Sequence, residues 1–223
     1  PPLPNDIEIT PDGKTIYVAH GFGSEDLSVI EPISQTRIEG IPVPGFRPHR
    51  ITLSQDGQKL YLNSEISPRI AALDLASKVL TDSLEVGEPT DVSRRAEDVA
   101  LSQDGTRLYA AVSRILPDPI SQFVFSGVLW IIDTATFTKI GEILIGAQIG
   151  TISISPDGKT AYIAGSETFD LTSPNPNLQV FLVDLEENTN LGPLRGFILP
   201  VAIEFGAGKP ALPRVVWPEI VVF

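Results

Sequence analysis

One six-residue word, Asp-Gly-x-x-x-Tyr, occurs four times in this chain and constrains its fold more than any other feature. The glycines are Gly13, Gly57, Gly105 and Gly158, spaced 44, 48 and 53 residues apart. Each is followed four residues later by Tyr17, Tyr61, Tyr109 and Tyr162, which are all the tyrosines present. Self-similarity at that period belongs to a propeller blade or to a HEAT-type helix pair. The local pattern decides for β. Before each Asp-Gly the apolar residues alternate, as in Ile7 and Ile9 or Ile152 and Ile154, and after it come runs such as Ile16-Tyr17-Val18 and Leu60-Tyr61-Leu62. Asp-Gly between two such runs predicts a hairpin, because glycine accepts the positive φ of a tight turn.

A third strand in each unit is predicted at 27–30, 70–75, 128–133 and 180–185, ending on or near an acid (Glu31, Asp74, Asp133, Asp184). A fourth is predicted at 37–43, 79–86, 139–145 and 194–199. Four antiparallel strands make one blade. The expectation is an all-β β-propeller or propeller segment over 1–200, with blades at about 5–46, 47–94, 95–147 and 148–200. The tail, 201–223, is expected to cap an edge or supply closing strands.

The words TPDGKTIYVA and SPDGKTAYIA, with the later stretch LWIIDTATFTKIGEILIG, resemble the YVTN-type β-propeller repeat of bacterial and archaeal surface proteins over about residues 5–200. The resemblance implies an extracellular, cell-surface or periplasmic location. It also implies three roles: a non-catalytic binding or scaffold domain, a lactonase-like or other hydrolase, and an accessory propeller of a periplasmic redox enzyme. Such repeats usually form rings of about seven blades, so four blades are expected to leave a ring incomplete, self-associating or closed by a protein partner.

The Asp-Gly-Lys-Thr of the first and fourth words is not a phosphate loop. That loop needs a glycine five residues before Gly-Lys, where this chain has Glu8 and Ser153, and a helix after it. Nor do further oxygen ligands follow Asp12 or Asp157 at calcium-loop spacing. These segments read as turns. The net charge of -12, from 16 basic and 28 acidic residues, excludes nucleic acid and anionic lipid as natural partners. No apolar run is long enough to predict membrane insertion, and the start carries no basic-then-apolar leader. With no cysteine there is neither a thiolate nucleophile nor a cysteine-ligated zinc site.

Functional information lies where the four copies differ. With strands named A to D from the inside out, the B–C and D–A connections share one face of the disc. From tyrosine to third-strand acid the copies measure 14, 13, 24 and 22 residues, so blades three and four carry insertions near 114–127 and 166–178. The D–A connection at 87–98 is also long. Repeat proteins place such insertions on a binding face. Binding candidates on it are Arg94, Arg95, Asp118, Phe123, Phe125, Glu167, Phe169 and Asp170.

The same face holds the channel mouth. Asn5, His49, Glu97 and Gly150 are equivalent by alignment on the turns, as are Asp6, Arg50, Asp98 and Thr151, and His20 closes strand B on the same side. Asn5, Asp6, His20 and Arg50 are therefore further binding candidates. His49 with Glu97 or Asp98 suits an acid–base pair, and Glu97 with Asp98 suits a hard divalent cation such as calcium; Pro48-His49 equally suits a structural start to strand A. No other cofactor is predicted. There is no G-x-S-x-G elbow and no H-E-x-x-H.

Overall fold

The computed structural model describes residues 3–21, 24–87, 94–118, 122–166, 178–194, 202–204 and 214–216. Each Asp-Gly word sits at the tip of a hairpin, with Gly13, Gly57, Gly105 and Gly158 at φ 70, 68, 72 and 72°. The aspartate before each glycine is fully engaged locally. Asp12, Asp56, Asp104 and Asp157 accept the hydroxyl of Thr10, Ser54, Ser102 and Ser155 and the backbone N–H two residues on. That bonding holds all four carboxyls below their ordinary range, Asp104 at about 2.

Four antiparallel sheets follow, each wound up and down in chain order. The first is β1 (Pro4–Ile9), β2 (Ile16–His20), β3 (Asp26–Glu31) and β4 (Thr36–Pro42). The second is β5 (Pro48–Leu53), β6 (Lys59–Ser64), β7 (Arg69–Asp74) and β8 (Val79–Glu85). The third is β9 (Arg94–Leu101), β10 (Arg107–Asp118), β11 (Gln122–Asp133) and β12 (Thr138–Gly146). The fourth is β13 (Gln148–Ile154), β14 (Thr160–Ser166), β15 (Leu178–Asp184) and β16 (Thr189–Pro193). These are propeller blades: β1 packs on β5, β5 on β9 and β9 on β13, so the first strand of each blade is innermost.

The core is three apolar layers, one between each pair of consecutive blades. A forward face supplies tyrosine and aliphatics: Tyr17, Leu27 and Val29 from blade one, Tyr61, Ile70 and Ala72 from blade two, Tyr109, Leu129 and Ile131 from blade three. The rear face of the next blade supplies the alternate residues of its first strand, Ile51, Val99 and Ile152, each nearly or fully buried. Full burial of such a side chain stabilises by about 1.5–3 kcal/mol, so these layers hold the arc together. β1 and β13 do not pack as a fourth pair, so the described blades form an open arc. In the tail, β17 (Ala202–Glu204) and β18 (Arg214–Val216) form a two-stranded sheet, and β17 packs beside β13 and β14.

Two strand expectations are corrected. The last strand of blade four is Thr189–Pro193, not 194–199. Every C–D turn has one length, closed by a residue at positive φ (Gln35, Lys78, Phe137, Asn188) after an acid that caps the turn amides. Asp184 starts that turn, and its fixed length brings the chain back at Thr189. In blade three the third strand begins at Gln122 rather than at 128, because of the insertion at 114–127. The insertion extends β10 and β11 as a hairpin, with four residue pairs, Ile115 with Phe125 to Asp118 with Gln122, lying beyond the four-stranded sheet.

Candidate functional site

The start of strand A is irregular in all four blades. The ladder skips between Pro4 and Asp6, between Pro48 and Ile51, opposite Ala111 and Val112, and between Ile149 and Ile152. These skips contain Asn5, His49, Glu97 and Gly150, the positions aligned from sequence as the mouth. A bulge turns side chains out of the regular alternation, and here it directs several of them across to the next blade.

Asp6 accepts the N–H of Ile7 at 3.0 Å and, across the blade boundary, that of Ile51 at 2.8 Å. Asp98, two blades on, accepts Val99 N–H at 2.9 Å and Ile152 N–H at 2.8 Å. The same acid thus ties blade one to two and blade three to four. Arg50 stands at that position in blade two, and there Asn63 takes over: its oxygen accepts Arg50 N–H at 2.7 Å and its amide donates to Ala96 O at 2.5 Å. Asn5 donates to His49 O at 2.9 Å, and Arg50 Nη1 donates to Asn5 O at 3.2 Å. Asn63 was not singled out from sequence. Its one signal is its place three residues after Leu60 in the second strand, where an amide is otherwise out of keeping with the apolar run.

Burial dominates the electrostatics. It pushes the Asp98 carboxyl up to about 7 against the pull of its backbone bonds and Arg50, and it raises Asp6 against the same kinds of partner. Glu8, beside Asp6, is likewise pushed to about 7 by burial and by its neighbour's charge. Glu97 is raised by burial despite Arg95 and a hydrogen bond from Ser113. Burial and then Arg50 lower His49, with Glu65 and a bond to the Glu97 backbone acting the other way. Burial and Arg50 thus favour the neutral imidazole. It meets the backbone of Glu97, while the Glu97 carboxylate meets Ser113.

The remaining candidates are dispersed. His20 is buried in blade one, where Nε2 lies 2.7 Å from Ser28 Oγ, and burial lowers its pKa. Arg95 is exposed. Phe125 lies half-buried on the hairpin arm opposite Ile115, and the backbones of Phe123 and Asp118 lie further out on the same arm, paired with Pro117 and Gln122. The side chains of Arg94, Asp118 and Phe123, and all of Glu167, Phe169 and Asp170, lie outside the described residues, as do 167–177 and residues 88–93 of the long D–A connection, whose last residues, from Arg94, belong to β9. Among the described residues no three His, Asp or Glu side chains gather as a ligand set.

No family model matches the chain. It is 25% identical over 178 residues to Antigen Lp49 of Leptospira interrogans, which covers 75% of this chain and 37% of that protein. The fold is that of a β-propeller. Hydrazine synthase of Kuenenia stuttgartiensis superposes with a TM-score of 0.68 at 22% identity, over 86% of this chain and 49% of that one. A protein of Bacteroides uniformis assigned as a 6-phosphogluconolactonase superposes with a TM-score of 0.58 at 19% identity, over 86% and 53%. The chain thus spans just over a third of the antigen and about half of each solved structure.

Proposed function

We propose that the chain is a non-catalytic binding or scaffold propeller of a secreted or cell-surface protein, and that it engages a protein partner through the face carrying the B–C and D–A connections. One observation carries this reading. Two of the acids at the mouth, Asp6 and Asp98, are engaged in blade-to-blade hydrogen bonds, while the β10–β11 hairpin runs four residue pairs past the sheet on the same face. At about 3.3 Å per residue such an arm reaches roughly 13 Å from the blade, with Ile115, Leu116, Phe123 and Phe125 in its sequence. The likeness to a leptospiral antigen supports a location outside the cytoplasm.

The test is a peptide-display selection against the intact chain, repeated on a variant in which 116–124 is replaced by a two-residue Asn-Gly turn. Selected peptides are expected to lose affinity for the shortened chain at least about tenfold. Peptides that bind both equally would refute a role for the arm.

A second reading, a lactonase-like hydrolase at the mouth, is favoured by two buried polar atoms near His49 that lack a hydrogen-bond partner, Arg50 Nε and Glu65 Oε2, and by Thr151 Oγ1, likewise unpartnered, at the position in blade four that aligns with Arg50. Turnover of 6-phosphogluconolactone above the buffer rate, abolished by His49→Ala in a folded variant, would establish it in place of the first. No turnover is expected.

A further inference from the structure

The three clefts between consecutive A–B turns, on the face opposite the long connections, are built from aligned residues and differ in chemistry. Two residues after its glycine, the earlier blade of each cleft supplies Thr15, Lys59 or Arg107; one residue after its glycine, the next blade supplies Gln58, Thr106 or Lys159. Of the three, the cleft between blades three and four alone draws a cation from both sides. It encloses about 300 Å³, at the small end of the range that ligand sites occupy, about 300–1,000 Å³. Its floor is rearranged as well. Between blades two and three, Thr134 bonds the Tyr61 hydroxyl and donates to Gly105 O at 2.7 Å. Between blades three and four, Leu185 stands at the position of Thr134, and the Tyr109 hydroxyl is bonded by Arg107 instead.

The cleft is held open and its charges have atoms to spare. Gln103 Nε2 donates to Pro156 O at 3.0 Å and fastens the two turns to each other, so the width is set before a ligand arrives. Among the described residues no carboxylate pairs with Arg107, and the bond to Tyr109 leaves most of its five N–H donors. Asp104 accepts from Ser102 and Thr106 on Oδ1, and Asp157 accepts from Ser155 and the Lys159 N–H on Oδ1. Oδ2 of each accepts from no other described residue. Lys159 is already paired with Glu186 at 3.0 Å. We propose that this cleft binds a free α-amino acid, its carboxylate on Arg107 and its ammonium against Asp104 and Asp157. A carboxylate matches the planar fork of a guanidinium. A ligand of one sign alone meets repulsion from half of the lining, and a sugar ring finds no platform to stack on, because Tyr109 is only 2% exposed. The site lies within blades three and four on the face away from the long loops, so this proposal and the one above can fail separately.

The test is NMR titration of the intact chain with each of the common L-amino acids in turn, with propionate, ethylamine and glucose as controls. At least one amino acid is expected to shift the amides of Thr106, Arg107, Gly158 and Lys159 saturably, with a Kd below about 1 mM. Propionate and ethylamine, each carrying one of the two charges, are expected to bind at least about tenfold more weakly, and glucose is expected to leave these amides unmoved. Arg107→Ala is expected to weaken the amino acid at least about tenfold, while Lys59→Ala, at the aligned position one blade earlier, leaves its affinity unchanged. Should Arg107→Ala fail to fold, Asp157→Asn keeps the oxygen that holds the turn and is expected to weaken binding at least about threefold. Saturable shifts from no amino acid, equal binding of propionate or ethylamine, glucose shifting the same amides, or undiminished affinity in a folded Arg107→Ala or Asp157→Asn chain would each overturn the proposal.

Discussion

Replacing Asp98 by asparagine separates the two opposed contributions of this side chain. The carboxylate accepts Val99 and Ile152 N–H on separate oxygens, at 2.9 and 2.8 Å, in a site where the residue is only 8% exposed. Asp98→Asn keeps the shape and one acceptor but sets an amide donor against one of the two N–H groups. A buried donor left without a partner costs about 1–3 kcal/mol. The charge acts in the other direction. Burial lifts the Asp98 pKa from 3.8 to about 7, so between about pH 4 and 7 the folded chain holds a proton that the unfolded chain has released. Stability from this group therefore falls as pH rises through that window, by up to about 1.4 kcal/mol per unit, and the asparagine variant has no such dependence. The variant is expected to be less stable than the parent by about 1–3 kcal/mol at pH 5, with the deficit shrinking toward pH 8. Urea unfolding followed by the fluorescence of Trp130, which lies in the layer between blades two and three, measures it at each pH. A deficit that stays constant or widens with pH would refute the reasoning.

Other outcomes follow from the same structure. Asp6, Glu8, Glu97 and Asp98 are all raised, so each loses stability as pH rises above its unfolded value, whereas the turn acids Asp12, Asp56, Asp104 and Asp157 are lowered and lose theirs as pH falls below about 4. Thermal melts across pH 3–9 are expected to peak at about pH 4–6; a maximum above pH 8 would contradict the assignment. Gly165→Ala would place a Cβ 2.5 Å from Gln148 O, against 3.6 Å from Ala164 O for Gly150→Ala. The first is expected to destabilise by about 1–3 kcal/mol and the second by under about 0.5, read by urea midpoints. Phe137 and Gln35 both sit at positive φ, 50 and 54°, but Phe137 is buried and stacked on Tyr61 at 6.3 Å. Phe137→Gly is therefore expected to cost about 3 kcal/mol or more, and Gln35→Gly about zero, since strain relief offsets chain entropy there.

The repeat made the blades legible. Asp-Gly needs a left-handed residue, and the alternating run before it and the apolar run after it mark the two strands of a hairpin in every copy; that tyrosine lies on the forward face and Ile51 and its copies on the rear emerged only from the packing between blades. The end of blade four was not legible, because its outer strand TNLGP carries little apolar pattern; the constant distance from Asp184 to Thr189 was the better guide. The mouth was located by alignment, yet the bonding of Asp6 and Asp98 depends on a neighbouring blade's backbone N–H, which leaves no mark in a linear pattern. Arg50 in the aspartate position hinted that blade two is joined to blade three differently, and the amide that performs that task, Asn63, lies on another strand.

Amide hydrogen exchange at Ile152 and Ile51, measured by NMR on the intact chain, tests the central claim most directly, namely that the mouth acids join blades. If Asp98 and Asp6 hold these two N–H groups, both are expected to exchange as slowly as the ladder amides of β6 and β10, and Asp98→Asn is expected to speed exchange at Ile152 while leaving Ile51 unchanged. Exchange at both sites as fast as in exposed turns, indifferent to the substitution, would contradict the account and leave those carboxylates available for chemistry.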